Sequence, residues 1–348
     1  MSHIYFTNCN NMLHRPPSLP RRYLRHTDTP GKSRENNAFA SPPGSMIVRP
    51  RPHWLHLLFV RRGSLVTRIF SQQLFILGLS AAVVVLHGQV FHWKVTLTSG
   101  PFSLMGVALA IFLGFRINAS YDRYWEARKQ WGAMLVETRN LARKALTLID
   151  QGSDARRFVL ALAGLAATTR NQLRGEPATL GTEALLPDEL RATLAGVRQP
   201  PQRVLLWLAQ WLQQERQAGR LQPMLANTME DSLDALSMAI GSCERIANTP
   251  LPFTYSVILH RSAYLYCMLL PFGLVDVIGV MTPLVVTFVS YTFFALEALS
   301  DEIEEPFGRA PNDLALDALV IGIEGSLREL LGETPPPPLQ PDHNYILR

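Results

Sequence analysis

Carboxylates gather where the last long apolar run ends: Asp301, Glu302, Glu304 and Glu305 all fall inside one short segment. Hard divalent cations want several carboxylate oxygens, so these four residues are candidate metal ligands. Their spacing is not that of an EF-hand loop, and a solvated, charged segment beside a membrane is the favoured reading, with no metal. Asp276 and Glu297 also fall in or near apolar runs, where an ionisable group is costly and often functional. Asp276 sits where two runs turn back on each other, and Glu297 near a run's end, so both also fit an interfacial position. His260 beside Arg261 reads as an interfacial anchor.

Catalytic constellations do not follow from the remaining residues. The chain contains no GxxxxGK[ST], GxGxxG, GxSxG or HExxH pattern, and such spacings are what nucleotide, dinucleotide, acyl-transfer and zinc-hydrolase chemistry need. Cys9, Cys243 and Cys267 form no CxxC pair, which argues against a zinc ribbon, an iron–sulfur cluster or a disulfide scaffold. An enzyme is not expected, and neither is a cofactor.

A different kind of chemistry is suggested by Val107, Ile111 and Phe115, which recur every fourth residue and form one stripe on a helix. Such a stripe ordinarily packs or faces lipid. Turned toward a symmetry axis by several subunits, it makes an apolar constriction that gates by dewetting. Asn118 and Asp122 follow it.

The elements that must position these residues are apolar helices. Hydrophobic residues make up 47% of the 348 residues and charged residues 18%, below the quarter usual for soluble domains. Apolar runs span roughly 69–90, 102–118 and, back to back, 263–299; about 20 residues cross a bilayer core as a helix. Four transmembrane helices are expected. The last two crowd into a stretch that suits only short helices.

Arg49, Arg51, Arg61, Arg62 and Arg68 precede the first run, whereas the connection to the second holds only Lys94. Arg116, Arg123, Arg128 and Lys129 follow the second run, and Arg261 precedes the third. Basic residues mark the cytoplasmic side, so both termini and the central segment are expected there, with the spans in an inner (plasma) membrane. The formal charge of +5 is thus a matter of topology, and no nucleic-acid partner is expected.

The domain organisation follows. Residues 1–45, rich in proline, read as a disordered extension, with the start expected at Met46. The N-terminal segment and spans 1–2 occupy 46–118, and a cytoplasmic helical region 119–255. Spans 3–4 cover 256–300, an acidic PFG segment and helix 301–332, and a disordered proline-rich tail 333–348. No proline interrupts 102–150, so the second span is expected to continue as one long helix. Further helices are expected near 155–172, 187–195, 202–219 and 224–247, with no convincing strand.

Three stretches, AIFLGFRINASYDRYWEARKQWG at 110–132, NTPLPFTYSVILHR at 248–261 and EALSDEIEEPFG at 297–308, resemble the bacterial branch of the bestrophin family in the same order, from Met46 to Leu331. The resemblance implies an all-α membrane protein with four spans, a homopentamer around one central pore. It implies a neck at Val107, Ile111 and Phe115 and a second, cytoplasmic aperture near Leu225. Eukaryotic members carry an unbroken acidic run after PFG that forms a calcium clasp; here RAPND stands at 309–313, so calcium gating is not carried over. Eukaryotic necks are also richer in phenylalanine.

The function implied is passive passage of small monovalent ions, with the lipid bilayer and further copies of the chain as partners. Eukaryotic members conduct chloride, while bacterial relatives are associated with monovalent cations. Asp122 and Asp276, multiplied by symmetry, would favour cations such as sodium. An anion channel of the same fold and a membrane-anchored scaffold or sensor without conduction are the alternatives.

Overall fold

A computed structural model describes residues 65–86, 89–90, 93–94, 99–150, 152–341 and 347. The expected 1–45 extension, the start at Met46, Cys9 and the arginines before Arg68 lie outside the described residues. Helix α1 spans Val66–Val85, and a two-residue antiparallel pair, Gln89–Val90 with Trp93–Lys94, follows it. Helix α2 then runs unbroken over Ser99–Leu148, 50 residues. At 1.5 Å per residue this is about 75 Å, far beyond the roughly 30 Å of a hydrocarbon core. The absence of proline carries the helix out of the apolar stretch as a continuous rod, as the sequence predicts.

Asp154 accepts a hydrogen bond from the Arg157 backbone N–H (3.1 Å) and starts α3, Ala155–Leu173. Short α4 (Asp188–Ala192), α5 (Pro200–Gln217) and α6 (Pro223–Asn248) follow. Both α5 and α6 open on a proline in the first turn, where the missing N–H costs nothing. Helix α3 is buried on every face from Phe158 to Thr169, the signature of a central core helix. Gly164 permits this closeness: a Cβ there would sit 2.3 Å from a methyl of Leu186. Phe158 stacks on Trp211 of α5 at 4.4 Å, in a core that also takes Trp131, Met134 and Leu141 from α2. Cys243 is free and buried in that core, and burial pushes its thiol up to about 12, leaving it inert at neutral pH.

Helices α7 (Phe253–Ile278) and α8 (Thr282–Glu304) are joined by a single 3-10 turn at Gly279–Met281. Gly279 has φ +53°, a backbone conformation that favours glycine. Both helices are longer than the apolar pattern suggests. Hydropathy marks only a helix's apolar middle, while the mixed Phe253–His260 and the mainly polar Ser300–Glu304 extend it. The crowding expected between 263 and 299 is therefore absent. Among the described residues three stretches are long and apolar enough to cross a membrane: Val66–Val85, the α2 stretch, and Phe253–Glu304, which holds both α7 and α8.

Helices α1, α7 and α8 pack with the first half of α2 around a second core that includes Ile76, Leu109, Leu270, Val286 and Phe294. Gly106 and Gly273 allow the closest approaches, since Cβ atoms there would meet the Tyr266 hydroxyl at 2.7 Å and the Phe102 ring at 2.8 Å. Helix α9, Leu316–Leu330, lies against α3 and α2. The tail begins tethered rather than free: Glu333 pairs with Arg156 (2.5 Å) and Arg328 (2.9 Å).

Candidate functional site

Helix α2 has one face that the chain covers and one that it does not. Leu109, Leu113, Arg116, Ser120, Ala127, Trp131, Met134, Thr138, Leu141 and Ala145 are all buried. At about 100° per residue these positions fall on one line. Val107, Ile111 and Phe115 lie on the opposite side and are 59%, 52% and 61% exposed. In a bilayer an apolar side chain facing out needs no explanation by itself. The informative feature is that the same uncovered line continues past the apolar stretch through exposed Asn118 and Asp122.

One residue beyond Phe115, Arg116 is turned the other way. It is 3% exposed, and its guanidinium reaches Asp301 at 2.6 Å, Glu304 at 3.6 Å and Glu297 at 4.0 Å, all on α8. Glu297 in turn meets Nδ1 of His260 on α7 at 2.7 Å. Four residues on, the Ser120 and Ser300 hydroxyls share a hydrogen bond at 2.9 Å. Arg123 then donates to the carbonyls of Glu304 (3.2 Å), Ile246 (2.7 Å) and Thr249. Between Arg116 and Arg123 the helix is therefore clamped directly to α8 and to the end of α6, and through Glu297 and His260 to α7, by groups with fixed geometry. A fork of donors such as arginine's holds orientation as well as distance.

The acidic run is engaged by cations of the chain itself. Arg68 at the start of α1 lies 3.8 Å from both Asp301 and Glu302. Asn312 donates to Glu302 at 2.5 Å, and the Leu251 backbone N–H donates to Glu304 at 3.1 Å. Glu305 is exposed, and its carbonyl accepts from the Gly308 N–H at 3.3 Å. A cleft of about 320 Å³ opens here, lined by Arg68, the four acids, Ala310 and Asp313. Among the described residues no group of three or more His, Cys, Asp or Glu is placed to hold a metal ion.

Asp313 closes the PFG turn: it is 2% exposed and accepts from the Ala310 backbone N–H at 2.6 Å. Burial pushes its carboxyl up to about 7, helped by Glu302 and Glu305 and opposed by the Ala310 bond and Arg174. Asp317 shows the converse. Burial alone would raise it, but Arg174 (2.7 Å) and Arg170 (2.9 Å) hold it below the usual carboxylate value. The folded pKa of Asp313 exceeds the unfolded value of 3.8, so its contribution to stability is full below pH 4 and lost as pH rises to about 7. Asp313→Asn keeps an acceptor for Ala310 and removes that loss. Its melting point should match wild type at pH 4 and exceed it at pH 8, by up to about 4 kcal/mol in stability. Parallel melting curves at both pH values would contradict this.

The sequence-derived candidates are not all brought together. Asp276 is exposed near the end of α7, beyond Gly273, which meets Phe102 in the first turn of α2. Asp122 is exposed beyond Arg116, which meets the far end of α8. The two carboxylates thus lie at opposite ends of the stripe. Leu225 is half-buried against the core around α3, while its neighbour Met224 is 82% exposed. The clamp of Arg116, Arg123, His260 and Ser120 escaped sequence reasoning. Its one sequence signal is the pairing of an arginine just past one apolar run with a carboxylate near the end of another.

Comparison with known proteins places the chain among relatives of the same fold. Residues 46–329 match the family model described as Bacterial/Fungal Bestrophin protein. A relative from Ralstonia nicotianae, a "voltage-dependent anion channel-forming protein", is 44% identical over 294 residues, covering 83% of this chain and 95% of its own. A protein of the same description from Escherichia coli strain K12 is 41% identical over 304 residues, 87% of this chain and all of its own. The crystal structure of a bacterial bestrophin homolog from Klebsiella pneumoniae superposes with a TM-score of 0.74 at 39% identity, covering 77% of this chain and 100% of that one. Its apolar helices make this chain a membrane protein, and its sequence places it in the bacterial and fungal bestrophin family.

Proposed function

We propose that the chain forms a passive ion channel, a homopentamer in which the uncovered stripe of α2 faces a central axis. Helices α1, α7, α8 and the first half of α2 are its four spans, set in the inner membrane with both termini and the α3–α6 helices cytoplasmic. Val107, Ile111 and Phe115 form the neck, and the region of Leu225 a second aperture. The observation that carries this reading is the continuity of the α2 stripe opposite a face that is buried from Leu109 to Ala145. A lipid-facing helix has no need of a straight polar continuation into water, whereas a helix lining an aqueous path does.

The permeant ions are small and monovalent, with anions favoured. The cation expectation, drawn from bacterial family members and from acidic rings of Asp122 and Asp276, gives way because the relatives from Ralstonia and Escherichia are described as forming anion channels. Neutral neck rings do not set the sign themselves. The test is the reversal potential of the reconstituted full chain in a planar bilayer under a NaCl gradient. Reversal near the chloride equilibrium potential is expected; reversal near that of sodium would restore the cation reading. Absence of current from a verified pentamer would favour a scaffold.

A further inference from the structure

The buried line of α2 does not drift. Leu109, Leu113, Ser120, Ala127, Met134 and Leu141 all fall within about 80° of one another at 100° per residue. The opposite face can therefore be followed with the same register from the membrane into the cytoplasmic half. Within about 40° of Ile111 it carries, among others, Asn118, Asp122, Lys129, Val136, Asn140 and Arg143. Five of these are exposed and Asn140 is partly so. Lys129 is in line with Ile111 itself, about 27 Å further along.

The charges on this line are one carboxylate followed by two cations. Lys129 has a local partner, since its Nζ lies 2.6 Å from Oε2 of Glu126. Glu126 sits about 60° off the line, and its other oxygen accepts from Gln130 at 2.6 Å. Glu126 thus draws on the field of Lys129 from the side without standing on the line. Arg128 has the same charge as Lys129 but points about 100° away, with its guanidinium 5.6 Å from the Trp125 ring centroid.

We propose that Lys129, reinforced by Arg143, is a charge-selecting element of the conduction path, raising the anion share of the current, with Glu126 as its built-in attenuator. This rests on reading the α2 stripe as the wall of that path. The Debye length in physiological salt is about 8 Å, so Lys129 acts on the ion concentration in the cytoplasmic vestibule and not on the neck. Repetition by symmetry turns each side chain into a ring, and rings of fixed charge set which sign accumulates.

The geometry requires shifts of opposite sign from neighbouring substitutions. Relative to wild type, Lys129→Gln should move the reversal potential toward that of sodium, and Glu126→Gln toward that of chloride. Arg128→Gln, an equal change of charge off the line, should leave it in place. Both shifts should shrink in high salt. Unchanged reversal potentials in Lys129→Gln and Glu126→Gln, with conductance altered in Ile111→Ala, would overturn the charge-selecting role while leaving the neck intact. No change in any of the three would overturn the stripe itself, and a shift in Arg128→Gln equal to that in Lys129→Gln would reduce the effect to general surface charge.

Discussion

Ile111→Ala is expected to raise single-channel conductance severalfold without unfolding the protein. The side chain is 52% exposed, so truncating it opens no internal cavity and removes little packing. Its removal from each subunit at once widens the ring by two side-chain depths across the axis. It also lowers the apolar surface that favours dewetting, and both changes ease the passage of hydrated ions. Leu113, two residues on, is the natural contrast. It is 5% exposed and faces the helices behind α2, so Leu113→Ala should cost about 2–5 kcal/mol of stability, as large-to-small core changes do. The conductance of the channels that remain folded should be unchanged. Single-channel recording together with thermal melting separates the two. Unaltered conductance in a well-folded Ile111→Ala oligomer would remove that ring as the restriction.

The legible parts of this structure are those encoded in local spacing. Helix α2 was foreseeable from an interval without proline, and the stripe at 107, 111 and 115 from a four-residue recurrence, because both depend only on neighbours in sequence. Helices α3, α5 and α6 begin and end within a few residues of the expected 155–172, 202–219 and 224–247. Helices α7 and α8 outrun the apolar run at 263–299 because hydropathy stops where a helix leaves the apolar layer, although its backbone hydrogen bonds do not. The clamp was invisible for a different reason. Arg116 meets Asp301 across 185 residues of chain, and an arginine flanking an apolar run has the same local appearance whether it marks topology or is buried in an ion network. The acidic run was likewise seen as a group, but its partners Arg68 and Asn312 could be assigned only once the ends of α1 and α8 were known to meet.

Arg116→Met is expected to be the most destabilising single change in the membrane half, at about 3–5 kcal/mol, the usual cost of removing one partner of a buried ion network. The side chain that replaces it matches the aliphatic stem, so the loss is chiefly electrostatic. Asp301 is 40% exposed and can fall back on water and Arg68. Glu297 cannot: only 9% of its side chain is exposed, and among the described residues it keeps only His260 within ion-pair distance. Arg116→Lys should recover only part of the loss, because a single ammonium cannot reach three carboxylates at different angles as a planar guanidinium does. The double variant Arg116→Met/Glu297→Gln should be more stable than Arg116→Met alone, since removing both ends of a buried pair is far less costly than stranding one. The midpoint of thermal unfolding in detergent, read for all four proteins, is the measurement. If Arg116→Met melted with wild type, or if the double variant were no better than the single one, Arg116 would not be what holds the neck helix against α8. The conductance of such variants has its own meaning, because Arg116 follows Phe115 directly. A loosened clamp would let the lowest apolar ring turn away from the axis, coupling the stability of the junction to the width of the neck.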